Sequence, residues 1–189
     1  RSFTTTRFHY YDLFSMIPEL RPADSALEVG IGYGYIASWL RLKYKCNVTG
    51  LEHPSRKTVN NPDFMALMRE KGIEIVKADL LQPLPFKSSS FDLIVFSEVL
   101  EHLDPSDVKH VVDELVRVLK PGGKMLLTTP NALTFHERYR ALRGINPQPF
   151  AVQNDSDETH EHVRTYSLGE LKRLCGIFGL EIQSVSYSN

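Results

Sequence analysis

The 189-residue chain has only two cysteines, Cys46 and Cys175, far apart and outside any metal-type spacing. That excludes a disulfide scaffold or a cysteine-built zinc site, and it predicts two buried thiols in a reducing, cytoplasmic setting. Charge of one sign is lacking as well: 22 Lys+Arg against 23 Asp+Glu leave a formal charge of −1. With no global basic footprint, the composition speaks against a nucleic-acid partner. No apolar run approaches the ~20 residues of a membrane-spanning helix, so neither a span nor a secretory leader is expected. Internal repeats and low-complexity stretches are missing too, which excludes solenoids and arrays. What remains is ordinary globular composition, 42% hydrophobic and 24% charged. At roughly 100–200 residues per domain, a single domain over 1–189 is expected, with one continuous core.

What the chain does have is alternation. Short β-branched or aliphatic runs at Ser25–Val29, Asn47–Leu51, Ile73–Lys77, Asp92–Phe96 and Lys124–Thr129 are separated by helical patterns. This order predicts an α/β fold, an open twisted and mainly parallel sheet with helices on both faces. Within residues 1–21, Tyr10, Leu13, Phe14 and Ile17 recur at helical spacing and predict an opening helix. A second helix is expected at Tyr35–Leu42, and another after Asn61-Pro62, with Gly72 as its stop. Val108, Val111, Val112, Leu115 and Leu119 form one apolar stripe, ended by Pro121-Gly122-Gly123, with Asp113 and Arg117 as an exposed i,i+4 pair. Ser167-Leu168-Gly169-Glu170 is a capping box ahead of Leu171, Leu174, Cys175 and Phe178. Leu180–Tyr187 reads as a sixth strand.

Asn131 to Tyr166 breaks the rhythm with a connection far longer than an ordinary crossover loop. It opens with a helix pattern at Leu133–Arg143, basic through Arg138, Arg140 and Arg143. Pro147, Pro149 and an acidic stretch at Gln153–Glu161 follow. Long insertions at the carboxyl end of a strand usually cover a binding site, so residues 131–166 are expected to act as a lid.

Ala26-Leu27-Glu28-Val29-Gly30-Ile31-Gly32-Tyr33-Gly34 is a strand running into a glycine turn and then a helix. Glycine allows positive φ and lets backbone N–H groups approach a ligand, although such a loop can also serve only as a tight turn. A dinucleotide fingerprint needs a small residue where Tyr35 stands, and a P-loop needs Gly-Lys-Ser/Thr, which is absent. Neither phosphate reading survives. Glu52 ends the second strand, twenty-two residues after Gly30, where a carboxylate can accept ribose hydroxyls or simply be solvated. Asp79, with Leu80, follows the third strand and has a turn cap as its plain alternative.

The acidic-x-Gly-x-Gly-x-Gly loop, Glu52, Asp79-Leu80, Phe91–Leu103 and Leu119–Lys124 come in an order and spacing that resemble class I S-adenosylmethionine-dependent methyltransferases. The resemblance spans roughly residues 22–130, and more loosely Thr128–Asn131 and His162–Tyr166, as in small-molecule and glycan-pathway members. It implies a Rossmann-like fold, S-adenosyl-L-methionine as cofactor, and Glu28, Gly30, Gly32, Gly34, Glu52, Asp79, Leu80 and Ser97 around it. Asp79 would bond the adenine amino group and Leu80 pack on the ring. The family's closing antiparallel strand has no counterpart after Tyr187 and is expected to be missing. The implied reaction is methyl transfer to oxygen or nitrogen of a small-molecule acceptor, with a sugar or a lipid-linked intermediate among the candidates.

In-line displacement at a sulfonium mainly needs alignment in a dry pocket, and a hydroxyl acceptor also benefits from a base near neutral pKa. Histidine suits that task. Of seven histidines, His102 lies just past the fourth strand and His162 in the insertion; these two are the candidate bases, ahead of His136, His160, His9, His53 and His110. Were Glu98–His102 helical, Glu98, Glu101 and His102 would share a face. Joined by His160 or His162, they could hold a divalent metal, resembling the metal-dependent RNA 3′-terminal 2′-O-methyltransferases. That alternative, and a catalytically inactive cofactor-binding module, stand beside the metal-free small-molecule reading.

Overall fold

In the computed structural model, which describes residues 12–145 and 163–187, the alternation becomes one parallel sheet. Its strands are β1 (Ser25–Val29), β2 (Asn47–Glu52), β3 (Ile73–Lys77), β4 (Phe91–Ser97) and β5 (Leu119–Thr128). Their spatial order is β3-β2-β1-β4-β5, with every neighbouring pair parallel. The chain runs outward from β1 to β3 and then crosses back to lay β4 on the other side of β1. A crevice opens at that switch, beyond the carboxyl ends of β1 and β4, where ligands of open α/β sheets bind. This is the α/β, Rossmann-like architecture expected from the sequence.

Helices α1 (12–16), α2 (Tyr35–Tyr44), α3 (Lys57–Asn60), α4 (Pro62–Glu70), α5 (Val108–Val118), α6 (Phe135–Leu142) and α7 (Leu168–Ile177) complete the described fold. Side chains alternate across each strand, so neighbours along β1 and β4 serve opposite cores. Ala26, Leu93 and Val95 pack with Leu13 of α1, Ile17 just after it, Leu40 of α2 and Met68 of α4. Leu27, Ile94 and Phe96 pack with Val111, Val112 and Leu115 of α5, and Leu171, Leu174 and Phe178 close over them. Local signals place the ends: Asn61 Oδ1 accepts from the N–H groups of Asp63 and Phe64 with Pro62 at the first position. The Ser167–Glu170 capping box forms in both directions.

Four expectations are corrected. Residues 180–187 form no strand, because extended chain becomes a strand only as half of a hydrogen-bonded ladder, and no described segment pairs with it. Pro121-Gly122-Gly123 does not end α5, which stops at Val118. Leu119 already pairs with Phe91 while Lys124 pairs with Leu93, so these residues sit in an irregularity within β5. Asp113 bonds Lys109 at 2.6 Å, one turn earlier, rather than Arg117. Arg117 instead grips Glu114 and the carbonyls of Leu84 and Phe86, a partly buried site with more acceptors. Cys46 is buried as expected, but Cys175 is only half-buried, and both are free thiols.

Candidate functional site

The glycine loop is held on the sheet before any ligand is considered. Gly30 and Ile31 donate their N–H groups to the Leu51 carbonyl of β2 at 2.9 and 3.1 Å, and Gly34 closes a turn onto the Ile31 carbonyl. Gly30, Gly32 and Gly34 all have left-handed φ, 74°, 52° and 72°, a region that L side chains rarely enter. A Cβ at Gly30 would lie 2.7 Å from Val99, and one at Gly34 would lie 2.8 Å from Met68. At Gly32 it would meet nothing closer than 4.0 Å and would project into open space beside the loop. Packing therefore demands the first and third glycines, and the middle one keeps a cradle empty.

That cradle is part of a cleft of about 190 Å³ lined by Glu28, Gly30, Ile31, Gly32, Tyr33, Tyr35, Ile36, Ser97 and Glu98. Two of these side chains are carboxylic and none is Lys or Arg. Glu28, buried in β1, accepts the Ala37 N–H in the first turn of α2 at 2.7 Å. Burial pushes its carboxyl up to about 8, opposed by the Ala37 hydrogen bond and assisted by the nearby charge of Glu52. Glu52, also buried, accepts from the Gly32 N–H at 3.0 Å through one oxygen and from the His53 N–H at 3.0 Å through the other. It thereby ties the end of β2 to the middle of the loop. Each carboxylate oxygen keeps a second acceptor site.

On the far wall, Thr128 Oγ1 donates to Glu98 at 2.8 Å. Its single proton is then committed, so the 2.7 Å contact with Ser97 is donated by Ser97. Glu98 adopts φ 54°, a strained conformation of a kind that clusters at ligand sites and costs about 1–3 kcal/mol. Behind it, the wholly buried Glu101 accepts from Thr129 Oγ1 at 3.0 Å. Desolvation, and then the charge and hydrogen bond of Glu98, push its carboxyl up to about 7. The Glu101 carbonyl receives the N–H groups of both Val163 and Arg164. The end of the long connection thus lands on this pair of carboxyls.

Not every sequence candidate converges here. Glu28, Gly30, Gly32 and Ser97 line the cleft, with Gly34 and Glu52 directly behind the loop. Asp79 uses Oδ1 to cap the Leu81 N–H at 2.9 Å, the turn-capping alternative, while half-buried Leu80 packs on the second core. His102, half-buried in the short 3₁₀ turn Leu100–His102, does not line the cleft. His162, like His9 and His160, lies outside the described residues, as do Pro147, Pro149 and Gln153–Glu161. His53 is held locally by Ser55 and His110 is exposed on α5. The helical face that would join Glu98, Glu101 and His102 does not form, because Glu98 is left-handed. Among the described residues no three His, Cys, Asp or Glu side chains gather as metal donors. Tyr166 is buried in the second core rather than presented to an acceptor. Sequence reasoning missed Tyr33 and Tyr35 as lining residues, although their places within and directly after the glycine loop were the signal that could have found them. It weighed Glu98 and Glu101 only as metal donors.

A glycine loop at the switch point, backed by carboxylates and with no Lys or Arg among the described residues that line the cleft, defines a class I S-adenosylmethionine-dependent methyltransferase fold. Residues 27–127 match the family model described as a methyltransferase domain, and the chain belongs to that family. It is 33% identical over 162 residues to a 27-O-demethylrifamycin SV methyltransferase of Amycolatopsis mediterranei, covering 82% of this chain and 57% of that protein. It is 32% identical over 117 residues to a glycine/sarcosine/dimethylglycine N-methyltransferase of Actinopolyspora halophila, covering 60% of this chain. The chain spans only 20% of that second relative's length. Among solved structures, an S-adenosylmethionine-dependent methyltransferase from Mesorhizobium loti matches at a TM-score of 0.53 and 24% identity. That match covers 66% of this chain and 54% of the other.

Proposed function

We propose that this chain is a methyltransferase that uses S-adenosyl-L-methionine to methylate an oxygen or nitrogen of a small-molecule acceptor. The observation that carries the reading is the cleft: an open cradle at Gly32, the acidic side chains of Glu98 and Glu52 at and behind its wall, and no Lys or Arg among its described lining residues. Such a surface suits a ligand with an amine and a sulfonium and repels a pyrophosphate. When bound, that cofactor supplies an electrophilic methyl group on a good leaving group. In this reading Gly30, Gly32 and Gly34 admit it, Glu28 holds the first turn of α2 in place, and Glu52 accepts from its ribose. Asp79 and Leu80 face its base across the end of β3, and Ser97 lies along its edge. His102 and His162 are the candidate groups that take the acceptor's proton. Relatives named as a malonyl-[acyl-carrier protein] O-methyltransferase and a glycine/sarcosine/dimethylglycine N-methyltransferase leave either atom as acceptor.

Isothermal calorimetry with S-adenosylmethionine tests the reading directly. The chain binds, and Glu52→Ala weakens binding by about 1.5–3 kcal/mol as charge-assisted hydrogen bonds are lost. No heat from the unaltered chain would instead make it an inactive module.

A further inference from the structure

We infer that α6 and its flanks form a docking surface for an anionic lipid membrane. The segment exposes apolar side chains at a density unusual for solvated surface. Leu142 is 87% exposed, Leu133 and Tyr139 each 50%, and Ile145 47%. Scattered exposed apolar residues need no explanation, but a group of four within thirteen residues does. Cations flank them: Arg138 is one turn before Leu142 and Arg143 one turn after Tyr139, both exposed. The Arg143 guanidinium lies over the Tyr139 ring, 5.8 Å from its centroid. Arg140 adds a third cation, and Glu137 is the only acidic residue between 133 and 145.

An apolar stripe edged by arginines is the pattern of a helix lying in a membrane interface, its apolar side chains in the acyl boundary and its cations among anionic headgroups. The chain as a whole is almost neutral, so this local positive excess is a feature of α6 rather than of the protein. Nucleic acid would use the arginines but would leave the exposed leucines in water. A two-fold contact with a second copy would set like charges against each other. The surface is placed usefully: the chain enters α6 from the carboxyl end of β5, the sheet edge that also carries the cleft. The Ala132 N–H to Tyr166 carbonyl bond, at 3.0 Å, pins that entry. No described helix is long and apolar enough to cross a membrane, so the contact is adsorption. The inference goes beyond the methyltransferase reading and does not rest on it.

Co-sedimentation of the full chain with vesicles tests it. The chain pellets with equal parts phosphatidylcholine and phosphatidylglycerol, not with phosphatidylcholine alone, and high salt releases it. Arg138→Gln with Arg143→Gln weakens partitioning about 30-fold, at about fivefold per arginine. Leu142→Ser weakens it several-fold while leaving the melting temperature unchanged, since that side chain is exposed. Failure to pellet with the mixed vesicles at low salt would overturn the inference. So would variants that partition like the unaltered chain, or preference for a single-stranded RNA oligonucleotide over the vesicles. Cofactor binding measured in solution is a separate readout and stays unchanged in both variants.

Discussion

Glu101→Gln isolates a titration buried behind the cleft. Glu101 is wholly buried and accepts from Thr129 at 3.0 Å, with the charge of Glu98 nearby. Its carboxyl is raised from 4.5 to about 7, so the folded state holds a proton that the unfolded state has released. The sign follows by linkage. Stability is full below pH 4.5 and is lost as pH rises through about 7, reaching a deficit of about 3 kcal/mol above pH 8. Glutamine has the shape of the protonated acid: its oxygen accepts from Thr129 and its amide takes the place of the acid hydroxyl, but it never ionises. Urea unfolding at pH 5 and pH 9 should therefore give similar stabilities for the two proteins at pH 5. At pH 9 Glu101→Gln should be the more stable by about 2–3 kcal/mol. Glu28, raised to about 8 by burial, gives both proteins a common downward slope that cancels in the difference. Parallel stability curves, with the same gap at both pH values, would refute the assignment of a retained proton to folded Glu101.

Gly32→Val forces a β-branched residue to φ 52° and fills the cradle; calorimetry should detect no S-adenosylmethionine binding, with about 1–2 kcal/mol lost in urea unfolding. Gly50→Ala drives a Cβ into the Ile31 side chain, so overpacking should lower stability by about 1–3 kcal/mol, with a smaller loss in an Ile31→Ala background. If residues 131–166 close over the site, exchange of the Val163 and Arg164 amides, both bonded to the Glu101 carbonyl, should slow when cofactor product and acceptor are bound. Equal exchange with and without ligands would remove the lid and weaken the case for His162.

Local chemistry written along the chain determined the strand–helix alternation, the left-handed glycine loop, the Asn61 and Ser167 caps and the sidedness of α5. Each depends on residues within a few positions of one another, so spacing alone reveals it. The parallel order also followed, because alternating strands and helices leave few other ways to bury both faces of a sheet. Tertiary structure decided what depends on partners distant in sequence. Arg117 turned from Asp113 to Glu114, its neighbour on α5, because the loop ahead of β4 brings the Leu84 and Phe86 carbonyls within reach on that side. Glu98 turned left-handed, and Glu101 lost its solvent beneath the returning 163–166 segment, so a set that reads as a helical metal face became a carboxyl pair. Residues 180–187 alternate like a strand yet form none, since pattern supplies the faces of a strand but a neighbouring backbone must supply its hydrogen bonds.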